Sequence, residues 1–222
     1  VGFDSFQMDA GVLLAKTKNS EAWPNIWVID ANPEDIAQVD FVRPNGEEAM
    51  LSLGDYQQLA DALFKAGTAA GVENEYVDEY NRLHFYILDK VIADDEALSY
   101  RVAVRHLDGA GPFRRGVTVA NSTVDHAVPG RVAQYNFAVT NTGEATDIFR
   151  LDVAIESDWE LMLPNNLVQV EAGETVEVPV FVKIPNAGRN VKPTEITFSA
   201  TSETDNEQTA YSVRRVGPGN GR

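Results

Sequence analysis

Between residues 117 and 216, apolar side chains recur at every second position, run after run, and this periodicity constrains the fold more than any other feature. Tyr135, Phe137 and Val139 alternate up to a turn at Asn141-Thr142-Gly143, and Phe149, Leu151, Val153 and Ile155 follow. Trp159, Leu161 and Leu163 end at Pro164; Val168 and Val170 lead into the turn Ala172-Gly173-Glu174-Thr175. Val176, Val178, Val180 and Val182 continue to Pro185, then come Ile196, Phe198 and Ala200, and last Tyr211 and Val213. Neighbouring side chains on a strand point to opposite faces, so each run predicts a strand with one buried and one solvated side. Roughly seven such strands, punctuated by turns, predict an antiparallel β-sandwich of about 100 residues. Its two sheets would bury Trp159 and the alternating aliphatics between them.

The first half, residues 1–115, has a different texture. Gly11-Val12-Leu13-Leu14-Ala15 reads as a buried strand, and Ile26-Trp27-Val28-Ile29 as a second, bounded by Pro24 and the turn cluster Asp30-Ala31-Asn32-Pro33. Pro44-Asn45-Gly46 is a turn, since Asn and Gly tolerate positive φ. Tyr56, Leu59, Ala60, Leu63 and Phe64 fall at helical spacing and predict one short helix near residues 55–66, started by Ser52 and Asp55 and stopped by Gly67. Leu83 to Leu88 and Leu98 to Val104 predict a hairpin whose loop is Ala93 to Glu96. In the second of these strands Leu98, Tyr100, Val102 and Val104 share one side. Asp108-Gly109-Ala110-Gly111-Pro112 reads as a linker, and Gly217 to Arg222 as a linker stub leading to something further. The expected class is therefore mainly β: a strand-rich domain with one helix over 1–115, then a sandwich over 117–216.

The net charge of −16, from 34 acidic and 18 basic residues, repels phosphate backbones and argues against nucleic acid or an anionic lipid surface as partner. No apolar run is long enough to span a membrane as a helix. The start, Val1-Gly2-Phe3-Asp4-Ser5, carries neither an initiator Met nor a signal pattern, so the chain is expected to begin inside a longer precursor. With no cysteine, disulfides, thiolate catalysis and Cys-ligated metals are excluded, and stability rests on packing.

Catalysis needs a constellation, and none is legible. The three histidines, His84, His106 and His126, do not form the pair four residues apart that a zinc-peptidase helix uses. His84 and His106 read as sheet residues and His126 as a solvated loop residue. No nucleophile elbow and no phosphate-binding loop occurs. Acidic pairs such as Glu34-Asp35, Asp78-Glu79 and Asp94-Asp95-Glu96 sit in turn-like contexts, and none has the spacing of a calcium loop. An irregular calcium site is the one cofactor the acidic residues leave open, with Asp4, Asp9, Asp94 and Asp95 as candidates. Trp27 and Trp159 read as core, while Trp23 beside Pro24 is a candidate exposed ring. Asn121-Ser122-Thr123 fits an N-glycosylation acceptor, a triplet that chance often produces.

Two sets of residues carry a resemblance. Val139-Thr140-Asn141-Thr142-Gly143, Asp147-Ile148-Phe149-Arg150-Leu151, Trp159 and Val170 to Thr175 resemble the immunoglobulin-like modules appended to bacterial secreted enzymes and surface proteins. Asp4 to Leu13, Ile26 to Ala31 and Leu83-His84-Phe85-Tyr86 resemble the segment after the catalytic helix in secreted metallopeptidases of the immune inhibitor A type, the M6 family. The resemblance implies an immunoglobulin-like sandwich, an extracellular location and a catalytic domain of the same polypeptide as partner. Zinc would then belong to that absent domain, and no catalytic residue carries over to any position here.

Three function classes follow: an accessory region of such a peptidase, a free-standing extracellular binding or adhesion module that holds another protein, and an independent enzyme. The third is disfavoured because no site is visible. The first predicts an exposed apolar patch on residues 1–115, where a catalytic domain would pack. The second predicts apolar contact area confined to the sandwich loops.

Overall fold

The computed structural model describes residues 10–17, 26–32, 51–52, 62–94, 97–124, 127–186 and 191–217. The chain divides into two compact units, Val1–Val104 and Arg105–Arg222.

The first unit holds two three-stranded antiparallel sheets. In one, β1 (Leu14–Thr17), β2 (Ile26–Ile29) and β3 (Leu51–Ser52) lie in that order. In the other, β4 (Glu75–Asp78), β5 (Leu83–Ile92) and β6 (Leu98–His106) do the same, with the last residues of β6 crossing into the second unit. Backbone bonds tie the pieces together: Glu73 N–H donates to Ala31 O at 2.8 Å, and Ile87 N–H to Asn74 O at 2.8 Å. Ile29, Ala31, Phe64 and Ile87 form a small buried core, flanked by Val12, Leu14, Tyr76 and Tyr100.

The apolar run at Gly11–Ala15 is only half-buried and only its end is strand: β1 begins at Leu14, and Val12 makes an isolated bridge. That bridge corrects the expected helix near 55–66. Residues 53–61 lie outside the described residues, but Phe64 and Val12 exchange two backbone hydrogen bonds, at 2.9 and 3.0 Å, so this end is extended. The bridge brings the chains so close that a Cβ on Gly11 would stand 2.5 Å from Leu63 Cβ. Tertiary pairing has overridden a helical pattern of side chains. The described residues contain a single turn of 3-10 helix, Thr68–Ala70.

The second unit is a two-sheet antiparallel sandwich, and the mainly-β expectation holds. One sheet runs β10 (Leu161–Met162), β12 (Thr175–Lys183), β8 (Val132–Asn141), β7 (Val117–Val124). The other runs β11 (Leu167–Val170), β9 (Asp147–Ile155), β13 (Thr194–Ser202), β14 (Thr209–Val216). Tyr135, Phe137 and Val139 oppose Val180, Val178 and Val176, so the buried faces of β8 and β12 coincide. From the other sheet Phe149, Leu151, Ile196, Phe198 and Ala200 complete the core. Phe137 and Phe198 stack across the interlayer, with ring centroids 4.6 Å apart. Pro179 is tolerated inside β12 because β10 pairs only with Phe181 and Val182, leaving β12 an edge where the proline sits. At the turn before β12, Gly173 adopts φ 79°, a region costly for other residues.

Two expectations about which side faces inward fail here. Tyr211 and Val213 point to solvent, 71% and 44% exposed, because Tyr211 opposes Ser199 and Val213 opposes Thr197 on the outer face of β13. Arg214 takes an inner position instead, its guanidinium 5.5 Å from the Tyr135 ring and donating to Ser122 O at 3.0 Å. Trp159 is half-buried at the rim of the core and not enclosed by it.

Candidate functional site

Polar chemistry in the first unit concentrates on β4 and β5. His84 and Tyr86 share a face of β5 because they are two residues apart, and their rings stack at 3.9 Å. Glu75 on β4 reaches across to them: its Oε2 lies 2.8 Å from His84 Nε2, while the Tyr86 hydroxyl lies 2.8 Å from His84 Nδ1. With a carboxylate at Nε2, the assigned tautomer donates there and accepts the phenolic proton at Nδ1. The line Tyr–His–Glu has the composition of a proton relay. Yet Tyr86 is 0% and His84 6% exposed, so no substrate reaches the end where a nucleophile would have to act. The arrangement satisfies buried polar groups and gives the sheet a specific partner set.

Beside it lies the pair Lys16–Asp78, joining β1 to β4. Lys16 Nζ stands 3.0 Å from Asp78 Oδ2 and 5.1 Å from the Tyr76 ring centroid. Asp78 also receives Asn81 Nδ2 at 2.8 Å and Asn81 N–H at 3.2 Å, which closes the β4–β5 turn. Burial opposes the charge on each partner. Hydrogen bonds that Lys16 donates to Tyr76 and Asp78 outweigh it and raise the lysine pKa above the ordinary 10.5. Donation by the Asn81 side chain, Lys16 and the Asn81 N–H outweighs it at Asp78 and holds the carboxyl below the ordinary 3.8. The sequence reading placed Asp78 with Glu79 in a polar turn; Asp78 is in fact buried at the end of β4, and only Glu79 is exposed.

The same unit carries its apolar side chains in an unexpected place. Leu98, Val102 and Val104 on β6 are 45%, 41% and 51% exposed, and Ile92 at the end of β5 is also exposed. Their alternation predicts a shared face, and of the four residues on it only Tyr100 is half-buried.

In the sandwich the polar anchors are structural. Asn141 is fully buried; its Nδ2 donates to Ala145 O and Val170 O at 2.9 Å, and its Oδ1 accepts Gly143 N–H. Asp147 accepts from Ser202 Oγ at 2.6 Å, Thr204 Oγ1 at 2.7 Å and Ile148 N–H at 2.9 Å. Two shallow clefts open on this unit. One is lined by Arg105, Arg150, Asp152, Ser199, Thr201 and Glu203, with the Glu203 carboxylate 2.5 Å from Arg150 Nε and 3.9 Å from Arg105 Nη2. The other gathers Ser157, Trp159, Pro185 and Pro193. Among the described lining residues neither cleft holds a histidine or a nucleophile–base pair.

The remaining sequence candidates distribute as follows. Asp4, Asp9 and Asp95, together with Trp23, Glu34, Asp35 and His126, lie outside the described residues; Asp94 is exposed in the turn after β5. His106 is exposed, with Nδ1 3.2 Å from Asp108 Oδ2. Asn121 sits exposed on β7 and donates to Val213 O at 3.1 Å.

The two halves match different family models. Residues 1–107 match one described as a middle domain, and residues 117–217 match one described as a Peptidase M6-like domain. Over 239 aligned residues, 97% of this chain, the sequence is 40% identical to a protein of the fungus Arthroderma benhamiae named "Putative secreted metallopeptidase". The chain spans about a third of that protein's length (34%). The description of the second domain model and the name of the relative both refer to peptidases. The relative is fungal, where the residue-level resemblance pointed to bacterial modules.

Among solved structures, the chain is similar to a FixG-related protein from Vibrio parahaemolyticus: TM-score 0.36, 22% identity, covering 47% of this chain and 96% of that one. A human seminal plasma complex of zinc α2-glycoprotein with prolactin inducible protein gives TM-score 0.35 and 7% identity, over 47% of this chain and 96% of that one. Scores this low establish neither fold nor function.

Proposed function

We infer that this chain is the non-catalytic, C-terminal accessory region of a secreted zinc metallopeptidase of the immune inhibitor A type, and that it supports and tethers the catalytic domain. The observation that carries this reading is the extent of the match: identity of 40% runs across 97% of the chain yet occupies only 34% of the Arthroderma protein, leaving most of that polypeptide for a catalytic part. The polar clusters described here support it, since each is buried or lacks a reactive pair. Sheet neighbours β7-β8-β12-β10 and β9-β13-β14 also parallel the A-B-E-D and C-F-G groupings of immunoglobulin-like sandwiches, which supports a spacer or interaction role for the second unit. An extracellular location follows from the same reading.

The test is to express this chain alone and inside its longer polypeptide, and to assay cleavage of an unfolded protein substrate with and without a zinc chelator. The long form should cleave and lose activity on chelation, while the chain alone should be inert. Turnover by the chain alone, or a long form with no chelator-sensitive activity, would overturn the reading. A free-standing adhesion module is the competing reading. The exposed apolar residues of β6 lie on a strand and not at a loop tip, which favours the accessory role.

A further inference from the structure

We propose that the exposed apolar side chains of β6 form the surface on which this chain packs against the catalytic part of its own polypeptide. The proposal rests on the accessory-region reading above and assigns it a location. Leu98, Val102 and Val104 lie on one side of a nine-residue strand, with half-buried Tyr100 between Leu98 and Val102, and exposed Ile92 adds an apolar side chain at the end of β5. Among the described strands β6 lies at the edge of its sheet. Its sequence, Leu-Ser-Tyr-Arg-Val-Ala-Val-Arg-His, contains no proline. Arg101 and Arg105 charge the other side of the strand, but exposed apolar side chains gathered on one side are a liability unless something covers them.

The occupant is argued from chain length. The aligned relative carries about two thirds of its polypeptide beyond the matched region, because the chain covers 34% of it. A covalently linked neighbour is present at high effective concentration, so even a modest apolar strip suffices to hold it. The complementary surface would be an apolar ridge on that part.

The experiment compares amide hydrogen exchange over residues 83–106 in the long polypeptide and in this chain alone. Docking predicts exchange at least about tenfold slower in the long form, lost in the double variant Leu98→Glu/Val102→Glu. Leu98→Thr/Val102→Thr, which places β-branched side chains of high strand propensity at both positions, serves as a second variant should the glutamates disturb the strand; it should also lose the added protection. Equal exchange in both forms overturns the proposal. So does a dimeric isolated chain whose exchange over β6 slows with concentration, because the strip would then serve a second copy. Chelator-sensitive proteolysis by the long form, read in parallel, keeps the two ideas separate. Activity without added protection removes the docking surface alone, and added protection without activity removes the peptidase reading alone.

Discussion

Lys16 and Asp78 meet 3.0 Å apart across the first unit, one on β1 and the other at the end of β4. The aspartate side chain is 5% exposed and the lysine 26%, so the pair is mostly desolvated and satisfied by the Asn81 turn and the Tyr76 ring.

That pair makes the first unit's stability depend on pH at both ends. The Asp78 pKa is lower folded than unfolded, so its contribution is complete above the ordinary 3.8 and fades as pH falls through the depressed value. Lys16 is raised when folded, so its contribution is complete below 10.5 and fades as pH rises through the raised value. Asp78→Asn should destabilise the unit by about 2 kcal/mol near neutral pH, less than the ~3–5 kcal/mol of a fully buried broken pair because Lys16 is partly solvated. The gap from wild type should shrink as pH falls below 3.8, as read by urea midpoints and by amide exchange in β1 and β4. An unchanged gap at acid pH would contradict the pairing.

Asn141→Ala should destabilise the sandwich by about 3 kcal/mol. The substitution leaves Ala145 O and Val170 O without that donor and frees the turn at Gly143, and buried unsatisfied groups each cost about 1–3 kcal/mol. Thermal unfolding monitored at Trp159 should show the loss; a midpoint equal to wild type would count against the hub.

Phe198→Ala removes one ring of the stacked pair and opens a cavity at a fully buried position, at an expected cost of about 3–5 kcal/mol. Phe198→Leu should recover part of it, because leucine refills some of the cavity that alanine leaves. Denaturant midpoints of the two variants test the ordering.

Lys183→Ala serves as the contrasting case. Lys183 pairs with Glu160 at 2.7 Å, which raises the lysine pKa, but both side chains are well exposed. Solvent and salt screen such a pair, so the thermal midpoint should not move measurably at physiological ionic strength.

Much of the sandwich could be read from the residues alone. The alternation of β8, β12 and β13 coincides with their buried faces, because a strand between two sheets leaves one side wet, and each run writes that choice into every second residue. The same rule misleads at Tyr211 and Val213, since periodicity gives the phase of a strand but not which phase faces inward. Pairing of Tyr211 with Ser199 decides that. It misleads again at Leu98, Val102 and Val104, where an apolar run promises burial and the side chains stand exposed. The helical stripe ends in Phe64, whose backbone is claimed by Val12, a partner 52 positions away that local spacing cannot reveal. Asp78 and His84 looked like ordinary turn and sheet residues because their partners, Lys16 and Glu75, belong to other strands.

Residue order by itself therefore determined the class of fold, the alternating faces of the sandwich strands, and the lack of a legible catalytic motif, all of which follow from short-range periodicity and residue chemistry. Tertiary structure alone decided which faces turn inward, which carboxylate is buried against a lysine, and where apolar surface is left uncovered. Those outcomes depend on strand register and long-range pairing, and register is an energy difference between whole sheets that no local window contains.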